Sequence, residues 1–343
     1  MNRAFTVRVC VCSADRSYPQ PEVHPQWAQV AELTCAWTAQ YSIVTATAAT
    51  ARALALLDEL GGFATTQQLL TVMTRQQLDV RVRNGELIRV WYGVYAASKP
   101  DLIGRLAALD LYMDGEAVAC MGTAAALYGF DFENTTAIHV LDPGVRMRPT
   151  VGLMVHQRLG APLRRVAGRL ATAPAWTAIE IARQLPRPRA LATLDGVLHS
   201  IQCNPADLDK AVREQHGRRG IVAVRELLQY ADGRAESAME SEARLVMIDH
   251  GLPLPELQYE IHGRHGETWR VDYAWPEARV AAEYESLDWH AGAVKMIDDK
   301  TRFAGIQEQG WTVIPIVAHD VRRYPSQLAD RIAYHLAAAQ RAG

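Results

Sequence analysis

The sequence predicts a multidomain protein of mixed α and β structure. Its 343 residues exceed one typical small domain, and 49% hydrophobic against 22% charged residues supply a large core. Along the chain, segments with apolar residues at helical spacing are interspersed with segments in which apolar and polar residues alternate as in strands. The predicted segments are a poorly ordered extension (1–48), a winged helix-turn-helix (49–100), a mixed α/β middle region (101–216), a linker (217–235) with a helix at 221–230, and an α/β domain (236–343).

Residues 49–100 have the order of elements of a winged helix-turn-helix. A first helix with leucines at helical spacing ends at Gly61-Gly62. Threonines cap two further helices, Thr65 or Thr66 the second and Thr74 the third. A two-stranded wing turning near Tyr92-Gly93 follows.

The third helix of such a domain enters the DNA major groove. Its exposed side is expected to carry Arg75, Gln76, Asp79 and Arg83, whereas Arg81 and Arg89 would reach phosphates. The alternative is a solvated helix in a protein-interaction module.

The segments GGFATTQQL and RQQLDVRVRNGELIRVWYGVYA, with the helix pair from Leu106 to Leu127, resemble the N-terminal region of AbiEi-type antitoxins of type IV toxin–antitoxin systems. The resemblance extends through the middle region and implies a DNA-binding autoregulator. It does not by itself imply that this chain neutralises a toxin, so a toxin partner stays open.

Arginines are concentrated in the middle region, where two strands (137–141 and 152–156) flank a basic loop. They are Arg146, Arg148, Arg158, Arg164, Arg165, Arg169, Arg183, Arg187 and Arg189. One interpretation is a patch that contacts phosphates. The other is ordinary surface arginine spread over several faces.

Acidic residues mark the stretch TWRVDYAWPEARVAAEYES. Alternation predicts Trp269, Val271 and Tyr273 on one face of the first strand and Asp272 on the other. In the second strand Glu283 and Glu285 share a face. Pairing of the strands would bring three acids together, and such acids repel unless a cation lies between them. This pattern predicts a Mg²⁺ or Mn²⁺ site for phosphodiester hydrolysis.

The stretch VDYAWPEARVAAEYE, together with Asp299, Arg302 and the later Gly-Trp-Thr-Val, resembles the Vsr-like branch of the PD-(D/E)XK restriction-endonuclease-like superfamily. The resemblance implies catalytic roles for Asp272, Glu283 and Glu285, with His290 matching the family histidine. Glu285 departs from the pattern, because the superfamily carries Lys there and this branch usually Asp.

Glu240 has two interpretations. With Ser237 it forms a Ser-x-x-Glu capping box, in which it would accept from the Ser237 backbone N–H. The nuclease resemblance instead implies a metal ligand beside Asp272 and Glu283. Glu242 is expected to be a solvated helix residue.

Three functions are compatible with these patterns. The first is a bacterial DNA-binding protein with a Mg²⁺-dependent endonuclease domain. The second is a transcriptional regulator or antitoxin whose nuclease fold is inactive, and a protein-interaction scaffold is a third possibility.

Composition bounds the remaining possibilities. A net charge of −2 argues against a uniformly basic nucleic-acid coat protein, and five scattered cysteines fit reduced thiols in the cytoplasm. No apolar run approaches the ~20 residues of a membrane span. No glycine-rich nucleotide motif is present.

Overall fold

The computed structural model describes residues 48–342 apart from 131–132, 134–135, 145–149, 158–159 and 286–292. The predicted N-terminal extension therefore falls almost wholly outside the described residues. The chain divides into two compact units, residues 1–88 and 89–343.

The first unit has the predicted order of helices. Its elements are α1 (residues 48–59), β1 (Phe63–Thr65), α2 (Thr66–Leu69) and α3 (Arg75–Arg83). Thr65 and Thr74 cap α2 and α3 through their side chains, and a glutamine three residues later returns each bond. These capping boxes satisfy backbone N–H groups that a helix leaves without partners. Gly61 and Gly62 adopt positive φ after α1, where a side chain would strain the backbone.

The second unit begins with a hairpin that turns at Tyr92-Gly93, as predicted. Its elements up to residue 230 are β2 (Ile88–Trp91), β3 (Val94–Ala96), α4 (Leu102–Met113), α5 (Met121–Tyr128), β4 (Ile138–Leu141), β5 (Leu153–His156), β6 (Leu163–Val166), β7 (Arg169–Thr172), α6 (Pro174–Ala182), α7 (Arg187–His199), α8 (Pro205–Glu214) and α9 (Ile221–Leu227). The two predicted strands are β4 and β5, which pair in parallel. The β6–β7 hairpin and α8 were not predicted.

The segment predicted as a linker, residues 217–235, contains α9. Ile221, Val224 and Leu227 of this helix are buried in a core that also contains Ile179 and Leu191. The segment is therefore packed against the middle region for much of its length.

The C-terminal part has the predicted element order with one short helix added. Its elements are α10 (Ala238–Asp249), β8 (Glu256–His262), β9 (Thr268–Trp275), β10 (Val280–Tyr284), α11 (Ala293–Glu308), β11 (Thr312–Ile316), α12 (Ala318–Arg323) and α13 (Pro325–Ala342). The sheet has the order β11-β10-β9-β8. Strands β10 and β11 are parallel, and the other neighbours are antiparallel.

Helix α10 joins the C-terminal sheet to the middle region. Ala243 and Met247 pack against the sheet, whereas Leu245 belongs to the core of the middle region. Arg244 of α10 also donates to Asp195 of α7, and both residues are buried. A helix with two buried faces explains why residues 89–343 form one compact unit.

No helix among the described residues has the length and apolar character needed to cross a membrane.

Candidate DNA-contacting helix and acid cluster

Helix α3 has an exposed side with two arginines and one acid, Asp79. Arg75, Gln76 and Arg83 are all exposed, as predicted for residues that would contact DNA. Within the described part of the chain neither arginine forms an ion pair; the Arg83 Nε donates at 3.4 Å to the Asp79 carbonyl in its own helix. Their charge is therefore available to an external anion.

Arg81 corrects one prediction, because it is only 3% exposed. Its Nε donates to the Thr50 hydroxyl at 2.9 Å, and its Nη1 donates to the Gln77 carbonyl at 2.9 Å. A guanidinium held in this way fastens α3 to α1 and does not extend toward a phosphate.

Arg89 lies on β2 and is exposed, in keeping with the predicted phosphate contact. Its guanidinium carbon is 5.7 Å from the centre of the Tyr95 ring. This distance is within the range of a cation–π contact, which orients the side chain but leaves its N–H groups free to donate.

Most described arginines of the middle region have carboxylate partners. The ion pairs are Arg165–Glu116, Arg169–Asp110, Arg183–Glu180, Arg187–Asp249 and Arg189 with both Glu133 and Glu242. Arg164 donates to the Gln202 carbonyl. These contacts favour structural ion pairs over a phosphate-binding patch. Arg146, Arg148 and Arg158 lie outside the described residues.

Asp272 and Glu283 lie opposite each other on adjacent antiparallel strands, as predicted. The register pairs Ala281 with Ala274 and Ala282 with Tyr273, so its continuation places Glu283 across from Asp272. The Tyr284 N–H donates to Asp272 Oδ2 at 2.8 Å. With Glu240, these two residues form what we call the acid cluster.

The alternation predicted for β9 is interrupted at Asp272. Val271 packs with Ile261 and Ile306, whereas Tyr273 packs with Met247 in another cluster. The predicted shared face of Val271 and Tyr273 is therefore wrong. Two different layers cover the sheet here, and the strand changes the side toward which its apolar residues point.

Gln258 occupies the corresponding position of β8 with a φ of 52°, which is unusual for a residue other than glycine. Its Nε2 donates to Glu240 Oε2 at 3.1 Å and to Asp272 Oδ1 at 3.5 Å. Strained backbone of this kind persists only where the surroundings hold it. The sequence carries no signal for it, since Leu-Gln-Tyr is an ordinary strand pattern.

Arg302 of α11 forms a bidentate ion pair with Glu283. Its Nη1 donates to Glu283 Oε2 at 2.7 Å, and its Nη2 donates to the other oxygen, Oε1. Nη2 also donates to the Arg270 carbonyl at 2.5 Å. The two parallel bonds form the fork geometry typical of strong arginine–carboxylate pairs.

Glu240 serves the helix terminus and the acid cluster together. Ser237 Oγ accepts from the Glu240 N–H at 3.2 Å, so the serine half of the predicted capping box is present. Glu240 Oε2 accepts at 2.9 Å from the N–H of Glu236, not from that of Ser237. The glutamate thus reaches one residue further back than predicted.

Burial raises the pKa of each acid in the cluster. The charge of Asp272 raises the pKa of Glu240 and of Glu283 further, while hydrogen bonds from Arg302 lower that of Glu283. Burial thus favours the neutral form of each acid, and the Arg302 guanidinium opposes this effect at Glu283.

The cluster as folded does not fit a divalent ion. Nowhere in the described ranges do three or more Asp, Glu, His or Cys side chains converge closely enough to hold a metal. Both oxygens of Glu283 face Arg302, and both of Asp272 accept from protein N–H groups. Glu285 is exposed beside the cluster, and His290 lies outside the described residues.

Glu242 corrects a further expectation, since it is buried and not solvated. It accepts from Arg189 at 3.0 Å and from Arg322 at 2.9 Å. Burial alone would raise its pKa, but the hydrogen bonds from Arg322 and Arg189 outweigh burial and lower it. The residue ties α10 to α7 and α12.

Residues 117–230 match the family described as AbiEi antitoxin C-terminal domain. Two curated proteins are also similar to the chain, "Uncharacterized protein Rv2248" and "Uncharacterized protein MT2308", from Mycobacterium tuberculosis strains H37Rv and CDC 1551. Each is 74% identical over 271 residues, which are 79% of this chain and the whole length of the relative.

Proposed function

Because the chain belongs to the family of these Mycobacterium tuberculosis proteins and matches the AbiEi antitoxin C-terminal domain, we propose that it is a DNA-binding regulator of the antitoxin type. In this proposal residues 49–100 are a winged helix-turn-helix that contacts DNA through α3. The AbiEi match supports the regulatory class of function.

The two exposed arginines of α3 carry the proposal. Arg75 and Arg83 extend from a helix whose first turn is fixed by the Thr74 cap. An arginine that neutralises a DNA phosphate releases a bound counterion, and one that reaches a guanine edge adds specificity. Buried Arg81 holds the helix in place, so the exposed residues need no support from the DNA to stay oriented.

The test is a double variant, Arg75→Ala with Arg83→Ala, titrated against duplex DNA from upstream of its own gene. We expect affinity to fall about tenfold or more, and the salt dependence of log K to weaken by roughly 2 if both residues contact phosphates. Fluorescence anisotropy at several salt concentrations measures both quantities.

A matched control replaces Arg213 and Arg225 by Ala, which removes two exposed arginines from α8 and α9. The control should bind DNA almost as the parent does. Equal affinity of the α3 variant and the parent would contradict the proposal and favour a protein-interaction module instead.

The antitoxin role adds a partner. If the protein restrains a toxin, its loss should impair growth of the host, and loss of the toxin gene should restore it. A strain that grows normally without the protein would leave the DNA-binding regulator without the antitoxin role.

Magnesium-dependent phosphodiester hydrolysis is the second candidate function. The cross-strand position of Asp272 and Glu283 favours this function, whereas the ion pair between Arg302 and Glu283 argues against it. Incubation of plasmid DNA with Mg²⁺ or Mn²⁺ tests it, with Asp272→Asn as the inactive control. Cleavage by the parent but not by this variant would establish the nuclease, and Glu285→Lys tests whether the superfamily residue increases activity.

A further inference from the structure

We infer that Arg302 takes the place of a divalent cation in the acid cluster, so that the C-terminal domain assembles this cluster without metal. The inference concerns a different part of the chain from α3 and stands whether or not α3 binds DNA. It rests on the contacts of Glu283, Asp272 and Glu240.

The guanidinium of Arg302 supplies the cationic charge at the position where a metal would meet Glu283. It covers both carboxylate oxygens, and its third bond to the Arg270 carbonyl fixes its plane. The Glu283 side chain is 8% exposed and that of Arg302 31%, so solvent screens the pair only in part. Arginine stays protonated in proteins, so this charge is permanent.

Three further oxygens of the cluster, both of Asp272 and Oε2 of Glu240, are held by hydrogen-bond donors of the protein. The backbone N–H groups of Tyr284 and Glu236 donate to Asp272 and Glu240, and the Gln258 amide reaches toward both acids. A divalent ion needs these lone pairs free and turned toward one point. Here Gln258, whose backbone is strained, occupies those lone pairs with its side-chain amide instead.

A cluster held in this way lacks the means to generate an attacking hydroxide. In metal-dependent hydrolysis the ion lowers the pKa of its bound water, whereas a guanidinium leaves that water without a Lewis acid. The cluster then links α10, α11 and the sheet through its hydrogen bonds and its ion pair. This role fits a domain that regulates DNA without cleaving it.

The test measures Mn²⁺ binding by the full chain, from which metal has been removed with EDTA and the EDTA then dialysed away. Isothermal titration calorimetry and thermal melting monitor the binding. The parent should give no saturable heat and an unchanged melting temperature. Arg302→Ala frees both oxygens of Glu283, and Mn²⁺ can then displace the Gln258 amide, which lies 3.5 Å from Asp272 Oδ1. This variant should therefore acquire Mn²⁺ binding, with a rise in melting temperature of about 5 °C at a Mn²⁺ concentration near 100 times Kd. The double variant Arg302→Ala with Glu283→Gln lacks the freed carboxylate and should lose the gain.

Saturable one-to-one binding of Mn²⁺ by the parent, abolished by Asp272→Asn, would overturn the inference. A folded Arg302→Ala variant that binds no Mn²⁺ would also overturn it, because Arg302 would not then be what excludes the metal. If the alanine variant fails to fold, Arg302→Met keeps the length of the side chain while removing its charge, and the same two outcomes decide.

Discussion

The buried ion pair between α7 and α10 allows a quantitative test of how the two regions are joined. Arg244 Nη2 donates to Asp195 Oδ2 at 2.5 Å, and the Asp232 N–H donates to Oδ1 at 2.8 Å. Replacing Arg244 by Met removes the charge and keeps much of the apolar volume. Asp195 is then a buried carboxylate without its cation, which should lower the free energy of unfolding by about 3–5 kcal/mol.

Urea denaturation of the full chain, followed by circular dichroism, measures this change. Arg187→Met is the matched control, because its ion pair with Asp249 has side chains 40% and 41% exposed. Solvent screens that pair, so the control should lose at most about 1 kcal/mol. Adding Asp195→Asn to Arg244→Met removes the isolated charge and should recover part of the lost stability.

The dependence on pH provides an independent check. Burial raises the pKa of Asp195, and the attraction of Arg244 opposes that rise. Removing Arg244 should therefore raise the pKa further. A carboxyl whose pKa is higher in the folded than in the unfolded protein favours the folded state when it is protonated. That contribution to the stability of the protein is lost as the pH rises through the folded pKa. The deficit of the Met variant should thus shrink as the pH falls from about 7 toward 4. A loss below about 1 kcal/mol at neutral pH, or one independent of pH, would refute the reasoning.

Four further outcomes are expected. Arg81→Met should lower the stability of the first unit while the folded protein keeps its DNA affinity, measured by melting and anisotropy. Glu242→Gln should destabilise the chain by about 1–3 kcal/mol in urea, since it weakens charged hydrogen bonds from two arginines. Gly305→Ala should destabilise by about 1–3 kcal/mol, because the new Cβ would lie 2.6 Å from the Trp269 ring. The pKa values of the three acids in the cluster are raised by folding, so the acids should stabilise the folded protein at a pH below the unfolded carboxyl pKa and lose this contribution as the pH rises through their folded pKa values. Asp272→Asn should reduce the dependence of the melting temperature on pH.

Local rules predicted much of the fold. Thr74 and Ser237 cap the helices that follow them because a capping side chain needs only the N–H three residues away. Alternation correctly separated Val280, Ala282 and Tyr284 from Ala281 along β10, since successive side chains of a regular strand point to opposite faces. The register then followed from the short turn between β9 and β10, and it placed Glu283 opposite Asp272.

Tertiary structure decided which charges meet. Arg302 reaches Glu283 across 19 residues of sequence, Arg244 reaches Asp195 across 49, and Arg322 donates to Glu242 across 80. No spacing rule connects residues so far apart, because the folding of the intervening helices and strands sets their distance. The sequence thus determined which acids are present and which strands carry them. Packing determined that the Arg302 guanidinium, and not solvent, faces Glu283.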